Sequence, residues 1–253
     1  MKFNRLGARI LIVVVLLLVV SVGGIAFYSM NIAGGCIERL VNDYEVTMAG
    51  SLANELDATF NRFDGVLQSL SALVTTRFTT MPKPEVADIV IPQFGAQNGK
   101  FINDLGAQLR VSRGLFIIFN PEIFGVKKTY IAGFERPDSE SPFKFMDGKD
   151  FNPAGLIDRD NPSTAWFWKP LDLGEPHWSD LTLSDTGEEI VTYSMPVYID
   201  DKIAAVAGMT FDFSFVRDML APVKVYDHGY PFLMNRDLRF LYHPVHRFDG
   251  PSF

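Results

Sequence analysis

The chain has 253 residues, of which 47% are hydrophobic and 21% are charged, which is enough apolar content to bury a core in at least one domain. Its formal net charge of −7 disfavours nucleic acid as a partner, because phosphate binding needs an excess of Lys and Arg. The single cysteine, Cys36, excludes an internal disulfide and any multi-cysteine metal site.

An apolar run without a charged residue covers residues 10–27. At roughly 1.5 Å per residue, about 18–20 such residues cross a hydrocarbon core of about 30 Å. Lys2, Arg5 and Arg9 precede the run, and the first acidic residue is Glu38. The positive-inside bias therefore predicts a cytoplasmic N-terminus and export of everything after the run.

Two alternatives to an uncleaved anchor depend on processing. A cleaved signal peptide is the first, although the run is longer than most signal-peptide cores and continues into a further helical pattern. A lipoprotein cleavage site is the second, since small residues precede Cys36, but several residues separate it from the apolar run. We interpret residues 1–9 as cytoplasmic, residues 10–29 as a membrane helix and Cys36 as an unpaired juxtamembrane thiol.

A long helix is predicted next, over a stalk segment of residues 30–80. Apolar residues recur at steps of three and four, which keeps them on one stripe of a helix, and the pattern ends before Pro82 and Pro84. The stripe can pack on its own domain, pair with a second subunit to make a homodimer, or do both. Its members are Leu52, Leu56, Phe60, Phe63, Leu67, Leu70 and Val74.

The remaining pattern is typical of an α+β domain, with helices gathered at one end of an antiparallel sheet, over residues 81–221. Ile199, Asp200 and Asp201 form a hairpin-turn signal between two strands. A further strand pair, at 229–234 and 238–242, predicts the start of a second domain over 222–253, so we expect the chain to be a fragment of a longer protein. The other predicted elements are a helix at 86–109, strands at 114–119, 127–134, 188–198 and 202–215, a long loop at 139–160 and a short helix at 217–220.

Several segments, in the right order, resemble the double Cache family of extracytoplasmic sensors. They are Phe119-Asn120-Pro121-Glu122, Ala165-Trp166-Phe167-Trp168-Lys169-Pro170, the stretch from Gly174 to Asp180, the strands Ile190 to Tyr198 and Ala205 to Met209, and Gly229 to Phe232 with Tyr242-His243-Pro244.

The resemblance implies a PAS-like sheet, a membrane-distal sensor module at 81–221 and a truncated membrane-proximal module at 222–253. It further implies a bacterial inner-membrane receptor with the sensor on the extracytoplasmic side and a small molecule as its ligand. The expected output is a methyl-accepting chemotaxis module, and the alternative is a histidine kinase or a diguanylate cyclase. A membrane-tethered structural or interaction domain is the alternative of another class.

The aromatic segment Trp166-Phe167-Trp168 is the leading ligand-site candidate. Taken as a strand, it places the two indoles on one face and Phe167 on the other, near Tyr193 and Trp178, although any of these rings can equally be core. The predicted ligand-binding residues are Trp166, Phe167, Trp168, Tyr193, Thr210, Asp212, Phe116 and Tyr130.

Family members that bind α-amino acids carry an Arg and an Asp where this chain has Thr164 and Thr210. Threonine can neither clamp a carboxylate nor neutralise an ammonium, so the resemblance argues against a standard amino acid. Asp212, two residues along the same strand face, is a substitute cation partner, which favours an amine or a quaternary ammonium beside the rings. An uncharged or carboxylate ligand, or no small molecule at all, stays open.

Catalytic patterns give no support to an enzyme in this region. The sequence has no Gly-x-Ser-x-Gly, phosphate-loop or His-Glu-x-x-His motif. His243 and His246 flank an apparent turn without an acidic partner pattern. We therefore predict no catalytic residue, metal or cofactor, while an enzymatic output beyond residue 253 stays open.

Overall fold

The computed structural model describes residues 5–124, 131–138, 141–146, 159–184, 187–226, 229–235 and 238–245. The chain divides into two compact units, Met1–Asn54 and Glu55–Phe253.

The first unit is helical throughout its described part, because α1 (Arg5–Arg77) is a single unbroken helix. Its apolar part is long and hydrophobic enough to cross a membrane. An 18-residue stretch within Val13–Arg77 has a mean hydropathy of 2.4, and none of that stretch is buried in protein. The helix contains no proline and ends at Arg77, as the prolines at 82 and 84 predict.

The second unit begins with the C-terminal part of α1, where the predicted apolar stripe is confirmed. Phe63, Leu67 and Val74 have no exposed surface, and Leu56 is 7% exposed. From Leu56 onward, the stripe therefore packs within this unit. A second helix, α2 (Pro84–Ala107), follows with a proline in its first turn, where the missing N–H costs nothing.

The centre of this unit is an antiparallel sheet with the strand order β3-β2-β1-β7-β6-β4, and β5 pairs with β6. The predicted α+β class is confirmed. The strands are β1 (Ser112–Phe119), β2 (Ile131–Glu135), β3 (Lys144–Met146), β4 (His177–Trp178), β5 (Thr182–Leu183), β6 (Glu189–Ile199) and β7 (Lys202–Asp212).

The predicted hairpin between β6 and β7 is confirmed. Its two turn residues, Asp200 and Asp201, have φ values of 50° and 58°, the left-handed conformation that this kind of two-residue turn requires and that Asp tolerates. Strand β7 ends at Asp212, earlier than predicted, because the Asp212 carboxylate accepts the backbone N–H of Ser214 (2.8 Å) and starts α5 (Ser214–Leu220).

Two sequence predictions are wrong in this unit. The segment at 139–160, predicted as a loop throughout, contains strand β3, since Phe145 packs edge-on against Phe134 with 5.4 Å between ring centroids and lies against Gly95 of α2. The aromatic segment is the helix α4 (Ala165–Leu173) and not a strand. Gly174 ends it in the left-handed conformation (φ 69°), donating its N–H to the Pro170 carbonyl at 3.0 Å.

Successive strand residues alternate between the two faces of the sheet. One face, carrying Leu115, Ile117, Met209 and Phe211, is buried on the side of α1 and α2. The other face carries Ile118 and Val206 and packs against α4. We call these the helical-pair face and the α4 face.

Two smaller elements complete the described unit. The short helix α3 (Pro121–Phe124) follows β1, with the Asn120 side chain accepting the N–H of Glu122 (2.9 Å). The hairpin of β8 (Leu233–Met234) and β9 (Phe240–Tyr242) confirms the predicted late strand pair.

Candidate ligand-binding site

Helix α4 packs against the sheet through a small cluster of buried side chains. Phe167 has no exposed surface and Trp168 is 6% exposed, and both pack with Ile118 and Val206. Of the three predicted rings, these two are therefore core, and only Trp166 is partly open to solvent.

A hydrogen bond from the sheet compensates for a proline within α4. Pro170 has no N–H to donate to the carbonyl of Trp166, four residues earlier. The hydroxyl of the fully buried Ser194 on β6 donates to that carbonyl instead, at 2.5 Å. This contact fixes the first turn of α4, and with it Trp166, against the sheet.

Phe116 and Trp166 form an aromatic corner on the α4 face. Their ring centroids are 5.0 Å apart at an interplanar angle of 64°, and both rings are half-buried. The Phe116 ring lies against Gly208 on the neighbouring strand, where an added Cβ would meet the ring at 2.2 Å. Gly208 is thus the floor of the corner.

Two hydroxyls lie next to this floor along the paired strands. The Thr192 and Thr210 hydroxyl oxygens are 3.1 Å apart, and these residues are direct partners in the β6–β7 ladder. Thr192 is buried and Thr210 is half-buried. The pair presents uncharged donors and acceptors, and Thr210 is the position at which the resemblance to the double Cache family implies a carboxylate in amino-acid-binding members.

Charged groups occupy the far end of the same face. A nitrogen of Arg113 lies 3.0 Å from the Glu188 carboxylate and 3.4 Å from that of Asp212. Two carboxylates and one guanidinium leave one net negative charge among these three residues. Asp212 is four residues from Gly208, a separation of about 13 Å at the usual strand rise of ~3.3 Å.

Tyr193 and Trp178 lie on the opposite face, so the expected grouping of these rings with Trp166 is wrong. Tyr193 alternates with Thr192 and Ser194 and points to the helical-pair face, where its hydroxyl donates to the Asp64 carboxylate of α1 at 2.8 Å. Trp178 stacks on it, with centroids 4.3 Å apart. Burial raises the pKa of the Tyr193 phenol and the hydrogen bond to Asp64 raises it further, so the hydroxyl stays a donor.

The remaining positions that the structure describes lie outside the corner. Thr164 is 6% exposed and donates its hydroxyl to the Asn161 carbonyl at 2.9 Å, and Tyr130 lies outside the described residues. The outer face of Trp168 is covered by Arg159, whose guanidinium is 4.7 Å from the indole centroid and pairs with Glu122 and Asp172. Within the described part of the chain, no group of three or more His, Cys, Asp or Glu side chains could hold a metal ion.

Sequence reasoning missed Arg113, Glu188, Thr192 and Ser194. Thr192 and Thr210 are partners because their strands are adjacent in the β6–β7 hairpin. The turn signal between the strands could have predicted that these two residues lie opposite each other. Arg113 reaches partners 75 and 99 residues away in the chain, and no local pattern encodes such contacts.

Comparisons with known proteins support the fold. No protein-family model and no curated protein matches the sequence. The extracellular domain of the proposed histidine kinase mmHK1S-Z2 superposes with a TM-score of 0.55 at 16% identity, covering 82% of this chain and 74% of that one. The periplasmic sensory domain of the Campylobacter jejuni chemoreceptor Tlp1 gives 0.50 at 16% identity (77% and 69%), and Methyl-accepting Chemotaxis protein X gives 0.50 at 14% identity (79% and 76%).

These similarities confirm the expected resemblance at the level of the fold. The chain has the Cache-type fold of extracellular sensor domains. The proteins it matches are sensor domains of chemoreceptors and histidine kinases.

Proposed function

We propose that this chain is the sensing part of a bacterial transmembrane receptor, anchored by the first unit and exposing the second outside the cytoplasm. The receptor binds a small molecule on the α4 face and functions as a homodimer through the stalk at residues 30–80. Its output is a methyl-accepting chemotaxis module, with a histidine kinase or a diguanylate cyclase as the second candidate. The fold shared with extracellular sensor domains supports the receptor class.

The observation that carries the ligand site is the half-buried aromatic corner beside a pair of threonine hydroxyls. Phe116 and Trp166 stand edge to face over a glycine floor, and the Thr192–Thr210 hydroxyls follow directly. Aromatic walls with a few converging polar groups are typical of small-molecule sites.

The charge of the site favours an organic cation. Glu188 and Asp212 outweigh Arg113 by one charge at the polar end, where Arg110 and Asp218 line the same cavity and offset each other. The faces of Phe116 and Trp166 also attract positive charge. An α-amino acid is disfavoured, because position 164 is a threonine, which directs its hydroxyl to Asn161 and cannot clamp a carboxylate as an arginine does. Since about 13 Å of strand separates the floor from Asp212, the ligand is extended, with an apolar body and a terminal amine.

Four compounds that share a phenyl ring and differ in their head group test this proposal. The full chain in lipid nanodiscs is titrated by calorimetry with 4-phenylbutylamine, 4-phenylbutanol, 4-phenylbutyrate and L-homophenylalanine. We expect the amine to bind most tightly and the carboxylate and the amino acid at least tenfold more weakly. A preference for 4-phenylbutyrate would overturn the assigned ligand class.

A matched pair of variants separates the site from non-specific association of a hydrophobic amine. Trp166→Ala removes one wall of the corner, while Leu183→Ala truncates a side chain that is 58% exposed on β5. Amine binding should be lost in the first and unchanged in the second. If Trp166→Ala binds as wild type and no compound in the series binds specifically, the tethered structural domain becomes the better account.

The homodimer has its own test in the native cysteine. Cys36 is exposed on α1, so mild oxidation of the full chain in membranes should give a disulfide-linked dimer that Cys36→Ser abolishes. A monomeric product at all oxidant levels, together with a monomeric mass in nanodiscs, would contradict the dimer.

A further inference from the structure

The adjacent strands β6 and β7 connect the proposed ligand site to the face that packs on α1. On β6, Thr192 and Ser194 belong to the α4 face, while Tyr193 between them belongs to the helical-pair face. On β7, Thr210 likewise belongs to the α4 face and Phe211 to the helical-pair face. A displacement of the strand that a ligand causes at the hydroxyl pair therefore moves side chains on both faces.

Several contacts between α1 and this face are made by aromatic rings. Phe63 lies 4.9 Å from Phe211, and Phe60 lies 4.8 Å from Trp178, centroid to centroid. Ring contacts of this kind tolerate small sliding movements, because dispersion attraction has little directionality.

The Tyr193–Asp64 hydrogen bond differs from these contacts because it is directional. The phenol donates to one carboxylate oxygen of Asp64 at 2.8 Å. The other oxygen accepts from Gln68, one turn further along α1, at 2.5 Å. The carboxylate is thus oriented by its own helix, and its position reports the register of α1 against β6.

We propose that the Tyr193–Asp64 hydrogen bond is the contact that passes occupancy of the α4 face to α1. Tyr193 is a positioning residue in this scheme and does not touch the ligand. The inference rests on the proposed ligand site, since it assigns a role to the side of β6 that faces away from it. Ligand contact at Thr192 and Thr210 shifts β6, Tyr193 follows, and α1 adjusts its register or the bond breaks.

The three tryptophans of the chain provide separate reporters. Trp166 lies at the aromatic corner, Trp168 lies in the core beneath Arg159, and Trp178 stacks on Tyr193. Labelling the full chain with 5-fluorotryptophan gives three ¹⁹F resonances, which Trp→Phe variants assign. The perturbation is Thr210→Val, which removes one hydroxyl, and with it the Thr192–Thr210 hydrogen bond, without adding bulk. Because the substitution itself perturbs the proposed site, the experiment needs no ligand.

The coupling is measured as the shift of each resonance caused by Thr210→Val in three backgrounds. In the native background we expect both Trp166 and Trp178 to shift. In Tyr193→Phe, which keeps the stacked ring but loses the hydroxyl, the Trp166 shift should persist and the Trp178 shift should fall at least threefold. Tyr198→Phe, on the same strand, loses a hydrogen bond to the Gly174 carbonyl and serves as the matched control, with the native response expected.

Two results would overturn the proposal. One is a Trp178 shift of equal size with and without the Tyr193 hydroxyl, and the other is no Trp178 shift in the native background. Asp64→Ala repeats the test from the helix side should Tyr193→Phe fold poorly. Because no ligand is added, a negative result here is distinct from failure of the amine series to bind.

Discussion

The two faces of the sheet are both rich in aromatic rings, yet they differ in what surrounds the rings. On the helical-pair face, Phe63 and Phe211 have no exposed surface and pack ring against ring. On the α4 face, Phe116 and Trp166 are half-buried over a glycine, next to two hydroxyls. Aromatic density alone therefore does not identify a ligand site. Our proposal for the site rests on partial burial beside polar groups.

The largest expected difference between the faces is in stability. Phe63→Ala should lower the free energy of unfolding by about 3–5 kcal/mol, because a fully buried ring leaves a cavity that the surroundings fill only partly. Trp166→Ala, at a half-buried position, should lower it by less than half as much. Chemical denaturation followed by circular dichroism compares the two, and equal losses would contradict the assignment of Trp166 to an open corner.

Gly208→Ala should damage the α4 face at a single point. The new methyl group occupies the place of the Phe116 ring, so we expect a loss of about 1–3 kcal/mol from overpacking and a loss of binding of 4-phenylbutylamine. Gly65→Ala on α1 is the control, since an added Cβ there meets nothing within 4 Å and alanine favours helix. Retained binding in Gly208→Ala would show that Phe116 is not part of the site.

Tyr193→Phe should affect the helical-pair face more mildly than any ring deletion. The ring and its stacking on Trp178 remain, and the loss is one hydrogen bond to the Asp64 carboxylate, worth roughly 1.5–3 kcal/mol. Thermal unfolding of the variant measures it. A loss as large as that of Phe63→Ala would mean that the hydroxyl holds the face together and does not merely set its register.

The smallest effect is a pH dependence at the edge strand β4. Burial lowers the pKa of His177, Lys169 lowers it further, and Asp180 partly offsets both. The unfolded chain then takes up the proton more readily, so the free energy of unfolding should fall as the pH drops below the ordinary value of 6.5. Denaturation at pH 7.5 and 5.5 should show a smaller decrease in His177→Asn. An identical decrease in both proteins would contradict this contribution.

Local chemistry explains which elements were predictable. The β6–β7 hairpin follows from two aspartates between alternating apolar strands, and the α1 stripe follows from steps of three and four. The aromatic segment was predicted wrongly because three adjacent rings have high β-propensity and are too short to show a period. Pro162 before it and Gly174 after it were the helix signals that outweighed propensity.

The candidate site was predictable only in part. Trp166 and Thr210 follow from the resemblance to the double Cache family. That Tyr193 and Trp178 lie on the opposite face of the sheet from Trp166 depends on the face on which each element packs. The Arg113 ion pairs depend on the order of three strands. Such contacts are set by tertiary packing, which one sequence does not display.

The most direct test of the ligand site introduces a carboxylate at its centre. Thr210→Asp adds a negative charge between the aromatic corner and Asp212, and a charge-assisted hydrogen bond contributes roughly 1.5–3 kcal/mol. We predict that calorimetry on the full chain in nanodiscs will show at least tenfold tighter binding of 4-phenylbutylamine, with no change in Thr182→Asp on the exposed strand β5. Unchanged or weaker binding in Thr210→Asp would contradict a cation site on the α4 face.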